Sequence, residues 1–178
     1  AYQAGFEQAG ALRAMNLQEV FDFGQVLSGQ PLLERDDVAV VTNGGGPGVL
    51  ATDSIGESRL SIAEFDDELR TELEAILPDE ADAMNPLDII GDADINRFQQ
   101  ALDIVLGEDS VGGAVILCVP TSLFEFEALA EVIGGVQREH EKPVVACLMG
   151  GEEADQAADE LGAYGIPNYF DPARAVPS

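Results

Sequence analysis

The sequence predicts an α/β domain, a doubly wound parallel sheet preceded by an N-terminal helical lead. Three observations point there. Continuous apolar runs rich in β-branched residues recur at Val38–Thr42, Ala114–Val119 and Val144–Leu148, as expected of strands covered on both faces. Between them lie segments of helical periodicity, the alternation that builds βαβ units with right-handed crossovers. The first run also passes through Asn43-Gly44-Gly45-Gly46-Pro47-Gly48 straight into such a helix. Open α/β sheets usually place their ligands at carboxyl-edge loops of this kind.

Taken in order, Tyr2–Gly10 reads as a short helical lead with Phe6 and Ala9 on one side. Asn16 followed by Glu19 is a capping box. The helix it opens carries Leu17, Val20, Phe21, Gly24 and Leu27 at helical spacing and stops at Gly29 and Pro31, so it is expected to pack as an appendage on the sheet. We divide the chain into this lead, residues 1–33, and a sheet domain, residues 34–178. Strands are read at Val38–Thr42, Leu60–Glu64, Leu87–Ile90, Ala114–Val119, Val144–Leu148 and Asn168–Phe170. Helices are read near Pro47–Glu57, Asp67–Ile76, Ile95–Leu106, Leu123–Glu139 and Glu152–Tyr164. Asp94 is the expected N-cap of the segment in which Ile95, Phe98, Ala101, Leu102 and Val105 form one apolar face. A flavodoxin-like strand order is the favoured topology.

Composition bounds the function. At 178 residues and 18.8 kDa the chain is most simply one domain, able to bury roughly 70% of its unfolded surface. No apolar run approaches the roughly 20 residues that span a bilayer, and the N-terminus has no signal-peptide pattern. The chain begins at Ala1 within a helix-like segment, and we expect it to be an excerpt of a longer polypeptide. Its 34 acidic residues against 8 basic ones give a formal charge of −26, and Lys142 is the only lysine. Nucleic acid and acidic membrane surfaces need basic patches, so neither is an expected partner. Regular apolar periodicity argues against disorder. The remaining reading is adaptation to a cytosol of molar salt, where the Debye length falls to about 3 Å and self-repulsion is tolerable.

The glycine turn can be narrowed by exclusion. No Gly-Lys-Ser/Thr follows it, so it is not a nucleotidase-type phosphate loop. Gly44, Gly46 and Gly48 have the wrong spacing for a dinucleotide fingerprint, and position 49 is valine. It is either an anion site on a helix N-terminus or a tight connection without a ligand. Asn43–Gly48, Asp88–Asp92, Pro120–Ser122 and Met149–Gly151 all fall at carboxyl edges. Ser122 with Glu125 reads as a second capping box, starting a helix whose N-terminus also faces an anion if Thr121 and Ser122 serve both ends. Asp88 either orients the glycine loop through backbone N–H groups or merely forms a turn before Gly91. Cys118 and Cys147 lie in apolar runs and read as buried, reduced thiols. His140, the only histidine, sits in a polar turn at the amino edge, away from the expected chemistry. No catalytic set and no metal site can be assembled from this chain.

Several blocks together resemble one family: Gln8-Ala-Gly10-Ala-Leu-Arg13, Gln30-Pro31-Leu, Val38 through Asp53, Asn85-Pro-Leu-Asp-Ile-Ile-Gly-Asp-Ala93 and Lys142-Pro-Val-Val-Ala-Cys-Leu-Met-Gly-Gly151. They are similar to the ADP-forming (nucleoside-diphosphate-forming) acyl-CoA synthetases, including archaeal acetate–CoA ligases, relatives of succinyl-CoA synthetase. The part present resembles the flavodoxin-like domain equivalent to the carboxy-terminal domain of the succinyl-CoA synthetase β subunit. In that family ATP phosphorylates a histidine, the phosphate passes to the carboxylic acid, and CoA displaces it. The resemblance implies that Asn43, Gly44, Gly45 and Gly46 line the phosphate or acyl-carboxylate site. It implies that a helix beginning at Thr121 and Ser122 faces the phosphohistidine, with Asp88 and Gly91 in support. That helix begins with Pro-Thr-Ser where its succinyl-CoA synthetase counterpart has paired glycines.

The family's phospho-accepting histidine lies in a loop before Ala1, so this piece alone is expected to be inactive and to hold no cofactor. CoA, ATP/ADP and Mg belong to the parent enzyme. The implied partners are its CoA-binding, phosphohistidine and ATP-grasp domains and the carboxylic acid, with acetate the expected acid. Two rivals stand beside this reading: a regulatory domain of a related protein acetyltransferase, and a stand-alone flavodoxin-like binding module.

Overall fold

The computed structural model describes residues 5, 6 and 8–176. The expected lead at Tyr2–Gly10 lies partly outside these residues; Gly5, Phe6 and Gln8 are helical. The elements that follow are α1 (Leu17–Gly29), β1 (Asp37–Thr42), α2 (Gly45–Gly56), β2 (Ser61–Ile62), α3 (Asp67–Glu74), β3 (Leu87–Asp88), α4 (Ile95–Gly107), β4 (Gly113–Cys118), α5 (Phe126–His140), β5 (Val144–Leu148), α6 (Glu152–Ala163) and α7 (Pro172–Ala175).

All strand pairings are parallel, in the order β2-β1-β4-β5. Asn168 continues the sheet beyond β5 as a single bridge to Ala146. With β3 set aside, this is the flavodoxin-like order read from the sequence. The β3 strand is the departure, because it shares one edge of β1 with β2. β2 pairs with Asp37 and Val38, while β3 pairs with Val41 and Thr42. Between these short strands the Asn85 side chain stands in for a neighbouring backbone. Its Oδ1 accepts from the Val40 N–H at 2.9 Å, and its Nδ2 donates to the Val38 and Ala63 carbonyls at 3.0 Å each. Sharing an edge also explains why the expected strands Leu60–Glu64 and Leu87–Ile90 shrink to two residues each.

Period-two alternation divides the core. Ala39, Val41, Ile116 and Ala146 face one apolar cluster with α3, α4, α5 and α6. Val38, Val40, Val115 and Cys147 face another, with α2, Tyr169 and α7. The α4 face is buried as predicted at Phe98, Ala101, Leu102 and Val105, each large side chain contributing about 1.5–3 kcal/mol relative to exposure. Asp94 caps this helix, accepting from the Arg97 N–H at 2.8 Å.

The first long helix corrects the sequence reading. Its N-cap forms, with the Glu19 N–H donating to Asn16 Oδ1 at 2.9 Å, while Glu19 reaches back to Asn16 Nδ2 and the Met15 N–H in place of the Asn16 N–H that a capping box would use. Yet Leu17, Val20, Phe21 and Leu27 point to solvent, Phe21 being 61% exposed. The helix seats on the domain through the other side. Asp22, 6% exposed, holds the Arg174 guanidinium through both carboxylate oxygens, and the Asp22 carbonyl accepts from the Tyr169 hydroxyl. A charged, hydrogen-bonded pair won the position that periodicity assigned to the apolar stripe.

Candidate functional site

The carboxyl ends of β1 and β4 lie side by side, with α2 leaving one and the α5 loop leaving the other. This is the topological switch point, where open α/β sheets form a crevice. Asn43 spans it. Its Nδ2 donates to the Val119 carbonyl at 3.0 Å, and its Oδ1 accepts from the Val119 N–H at 2.8 Å. At 1% exposure this amide clamps the two loops together, using one of its two N–H groups and one of its oxygen lone pairs.

The turn is held from below by Thr42, whose Oγ1 accepts from the Gly44 N–H and donates to the Gly44 carbonyl. α2 then opens with Gly44 as N-cap and no side-chain cap. Pro47 carries no N–H, so Gly45 and Gly46 present the N–H groups without intrahelical acceptors. Among the described residues, α2 is the helix whose first turn has neither a side-chain cap nor an acidic residue. The start of α6 carries Glu152, Glu153 and Asp155, and that of α5 carries Glu127 behind Glu125. No side chain of α2 itself therefore compensates the partial positive charge at Gly44–Gly46, the arrangement that accepts a phosphate or carboxylate, and the neighbouring carboxylate comes from Asp88. A Cβ on Gly46 would meet nothing within 4 Å, which leaves room above the turn.

Other sequence-predicted residues gather around this turn. A Cβ on Gly44 would touch Val119, one on Gly45 would lie 3.2 Å from Asp88 Oδ2, and one on Gly91 would lie 3.7 Å from the Asn43 carbonyl. Two of the four expected loops thus meet, and Val119 brings the start of the Pro120–Ser122 loop to the same turn. Asp88 proves to be both a turn former and a neighbour of the glycine loop: its Oδ1 accepts from the Ile90 N–H at 2.9 Å while Oδ2 faces Gly45. Ile90 adopts φ +68°, a left-handed conformation that is rare for a β-branched side chain and costs about 1–3 kcal/mol. Arg97 fixes the same bend by donating to the Ile89 carbonyl and pairing with Asp92.

The Thr121–Ser122 expectation is corrected. α5 begins at Phe126, so neither residue lies at a helix N-terminus. Thr121 Oγ1 instead accepts from the Leu123 N–H at 3.3 Å, a local turn that competes with the Ser122–Glu125 box. Phe124 packs edge-on against Phe98 with centroids 5.5 Å apart, and Phe126 is buried. These anchors delay the helix by a turn. The fourth loop, Met149–Gly151, joins the edge differently: the Met149 N–H donates to the Cys118 carbonyl, and Gly150 abuts the Phe126 ring.

Sequence reasoning missed Thr42, Asn85 and Ile90. An Asn-Pro pair before a strand and a threonine before a glycine turn are the signals that could have marked the first two. Cys118 and Cys147 are free and buried, with burial pushing both thiols up to about 12, so they are unreactive at neutral pH. His140 ends α5 at the amino edge, with Nε2 2.7 Å from Asp103 Oδ1.

Residues 38–176 match the model of the Ligase-CoA domain. A curated acetate–CoA ligase (ADP-forming) I of Archaeoglobus fulgidus is 38% identical over 176 residues, covering 99% of this chain and 24% of its own. The chain belongs to the Ligase-CoA domain family. A 4-hydroxybutyrate–CoA ligase (ADP-forming) of Nitrosopumilus maritimus is 34% identical, with 94% and 24% covered. This ligase-CoA domain spans about a quarter of the length of those two relatives. Its fold superposes with a TM-score of 0.91 on a dinucleotide forming acetyl-coenzyme A synthetase 1 of Ca. Korarchaeum cryptofilum, solved in complex with phosphate and ADP. That match has 29% identity and covers 98% of this chain and 38% of the other.

Proposed function

We propose that this chain is a working domain of an ADP-forming acyl-CoA ligase, and that the N-terminus of α2 receives the phosphoryl or acyl-carboxylate group during transfer. The observation that carries the proposal is the uncapped, acid-free first turn at Gly44–Gly46, placed at the switch point. The ADP-forming ligases among its relatives supply the reaction class.

The roles divide as follows. Gly45 and Gly46 offer backbone N–H groups to the anion, and Gly44, whose N–H is held by Thr42 Oγ1, sets the turn that presents them. Asn43 holds them in place from Val119, and Asp88 and Gly91 shape the rim. Thr121 and Ser122 lie on the adjoining loop, where their hydroxyls can serve an anion only as loop groups. Such a helix terminus supplies about 0.3–2 kcal/mol, and more once the enzyme closes around it and excludes water. Phosphate and carboxylate fit the turn because the open space above Gly46 admits an anion. Among the described residues no group of three or more His, Cys, Asp or Glu side chains could hold a metal ion. Mg, ATP/ADP, CoA and the phospho-accepting histidine are assigned to the other domains, and acetate is the proposed acid. The division into a helical lead (1–33) and a flavodoxin-like domain (34–178) belongs to the same reading.

The charge of −26 further supports a working place in a cytosol of high salt. No helix among the described residues is long and apolar enough to cross a membrane.

The test uses the intact ligase in high salt with γ-labelled ATP, followed by acetate with or without CoA. Acid-labile, base-stable protein label that acetate discharges is the expected result. No protein-bound label would overturn the ligase reading and favour a regulatory domain of an acetyltransferase.

A further inference from the structure

We infer that the outward face of α1, formed by Leu17, Val20, Phe21, Gly24 and Leu27 with Met15 beside it, is the seat of another domain of the same ligase. The inference rests on the ligase reading and names one of its contact surfaces. Leu17 is 71%, Met15 67% and Phe21 61% exposed. These side chains follow one another at helical spacing, so they form one stripe rather than scattered exposures, and contiguous apolar patches of this kind mark interaction sites.

Charge says the same. Residues 1–33 hold three of the 34 acidic residues, Glu7, Glu19 and Asp22, where an even spread would place about six. Both charges on α1 are occupied locally. Asp22 is turned inward on Arg174, and Glu19 binds Asn16 Nδ2 and the Met15 N–H. The stripe is therefore an apolar face without a free carboxylate on a body of charge −26, and depletion of charge is the compositional mark of interface cores. The Asp22–Arg174 pair and the Tyr169 hydroxyl fix α1 on the domain, so the face is presented in a set orientation.

The occupant follows from size. The solved acetyl-coenzyme A synthetase superposes on 98% of this chain, yet the match covers only 38% of that longer chain. Most of such an enzyme lies outside this domain and is available to cover the stripe. A second copy of this chain is the other occupant that the experiment distinguishes.

The experiment is peroxide oxidation of Met15, read by peptide mass spectrometry in molar KCl, on the 178-residue chain and on the intact ligase. Oxidation at least tenfold slower in the intact ligase is expected; equal rates overturn the inference. Protection of Met15 in the 178-residue chain as its concentration rises, with doubling of its sedimentation mass, would assign the face to a second copy and also overturn it. Phe21→Glu in the intact ligase should restore the fast rate while amide exchange of residues 22–30 stays slow; an unchanged slow rate counts against the stripe. Phosphoryl labelling is read separately. A labelled ligase with unprotected Met15 defeats this inference alone, and an unlabelled one with protected Met15 defeats the ligase reading alone.

Discussion

Asn43→Ala tests whether the switch point is held by one side-chain amide. The wild-type amide makes two hydrogen bonds to Val119, at 2.8 and 3.0 Å, from a position 1% exposed. Losing two such bonds costs about 1 kcal/mol each, and a backbone group left without a partner adds about 1–3 kcal/mol. A total of about 3–5 kcal/mol, at about 2–4 °C per kcal/mol for a chain of this size, lowers Tm by about 6–20 °C. Thermal melts of the 178-residue chain in molar KCl, with amide exchange at Val119, provide the assay. Asn43→Asp keeps the acceptor for the Val119 N–H and opposes a carboxylate to the Val119 carbonyl, so it should also destabilise. A Tm within about 2 °C of wild type, with Val119 exchange unchanged, would refute the clamp and return Asn43 to the role of a free ligand-binding group.

Further outcomes follow from the same structure. Asn85→Ala strips three hydrogen bonds from the β1 edge and should cost about 2–4 kcal/mol in chemical unfolding, with faster exchange at Val40. Glu160 is raised above its usual carboxylate range by burial, by the Glu127 and Glu131 carboxylates and by a hydrogen bond with Glu127. Its folded form therefore holds a proton more tightly than the unfolded chain does. Its contribution to stability is full below the unfolded value of 4.5 and is lost as pH rises through the raised folded value. Glu160→Gln should accordingly raise Tm near neutral pH and flatten that part of the pH profile; an unchanged profile would remove Glu160 from the account. Lowering KCl from molar to about 10 mM lengthens the Debye length from about 3 to about 30 Å and should lower Tm progressively, whereas a salt-independent melt would contradict the reading of the charge.

The interior of this fold was legible because buried parallel strands leave an unmixed signal. β1, β4 and β5 are covered on both faces, and their apolar runs mark them within a residue. Edge elements were less legible. β2 and β3 share one partner strand, and nothing in Leu60–Glu64 or Leu87–Ile90 announces that each will pair over two residues. The glycine turn was read correctly as a strand-to-helix connection, but not the use of Asn43 and Asn85 as substitutes for backbone, since an asparagine beside glycine or proline reads equally as a turn. The α5 start was misplaced because Ser122 and Glu125 have capping-box spacing, while the competing anchors, Phe124 on Phe98 and buried Phe126, depend on tertiary contacts. Helical period located the stripe on α1 without telling which side of the helix the domain would take.

The central claim is that the bare first turn of α2 receives an anion, and Gly46→Asp tests it most directly. An acid in that turn complements the helix dipole by about 0.3–1 kcal/mol, and a Cβ there meets nothing within 4 Å, so the variant should fold at least as well as wild type. Its carboxylate would occupy the place of the transferred group. In the intact ligase charged with γ-labelled ATP, the account predicts an undiminished Tm and discharge of label to acetate slowed at least tenfold. Discharge at the wild-type rate, with the variant folded, would contradict it.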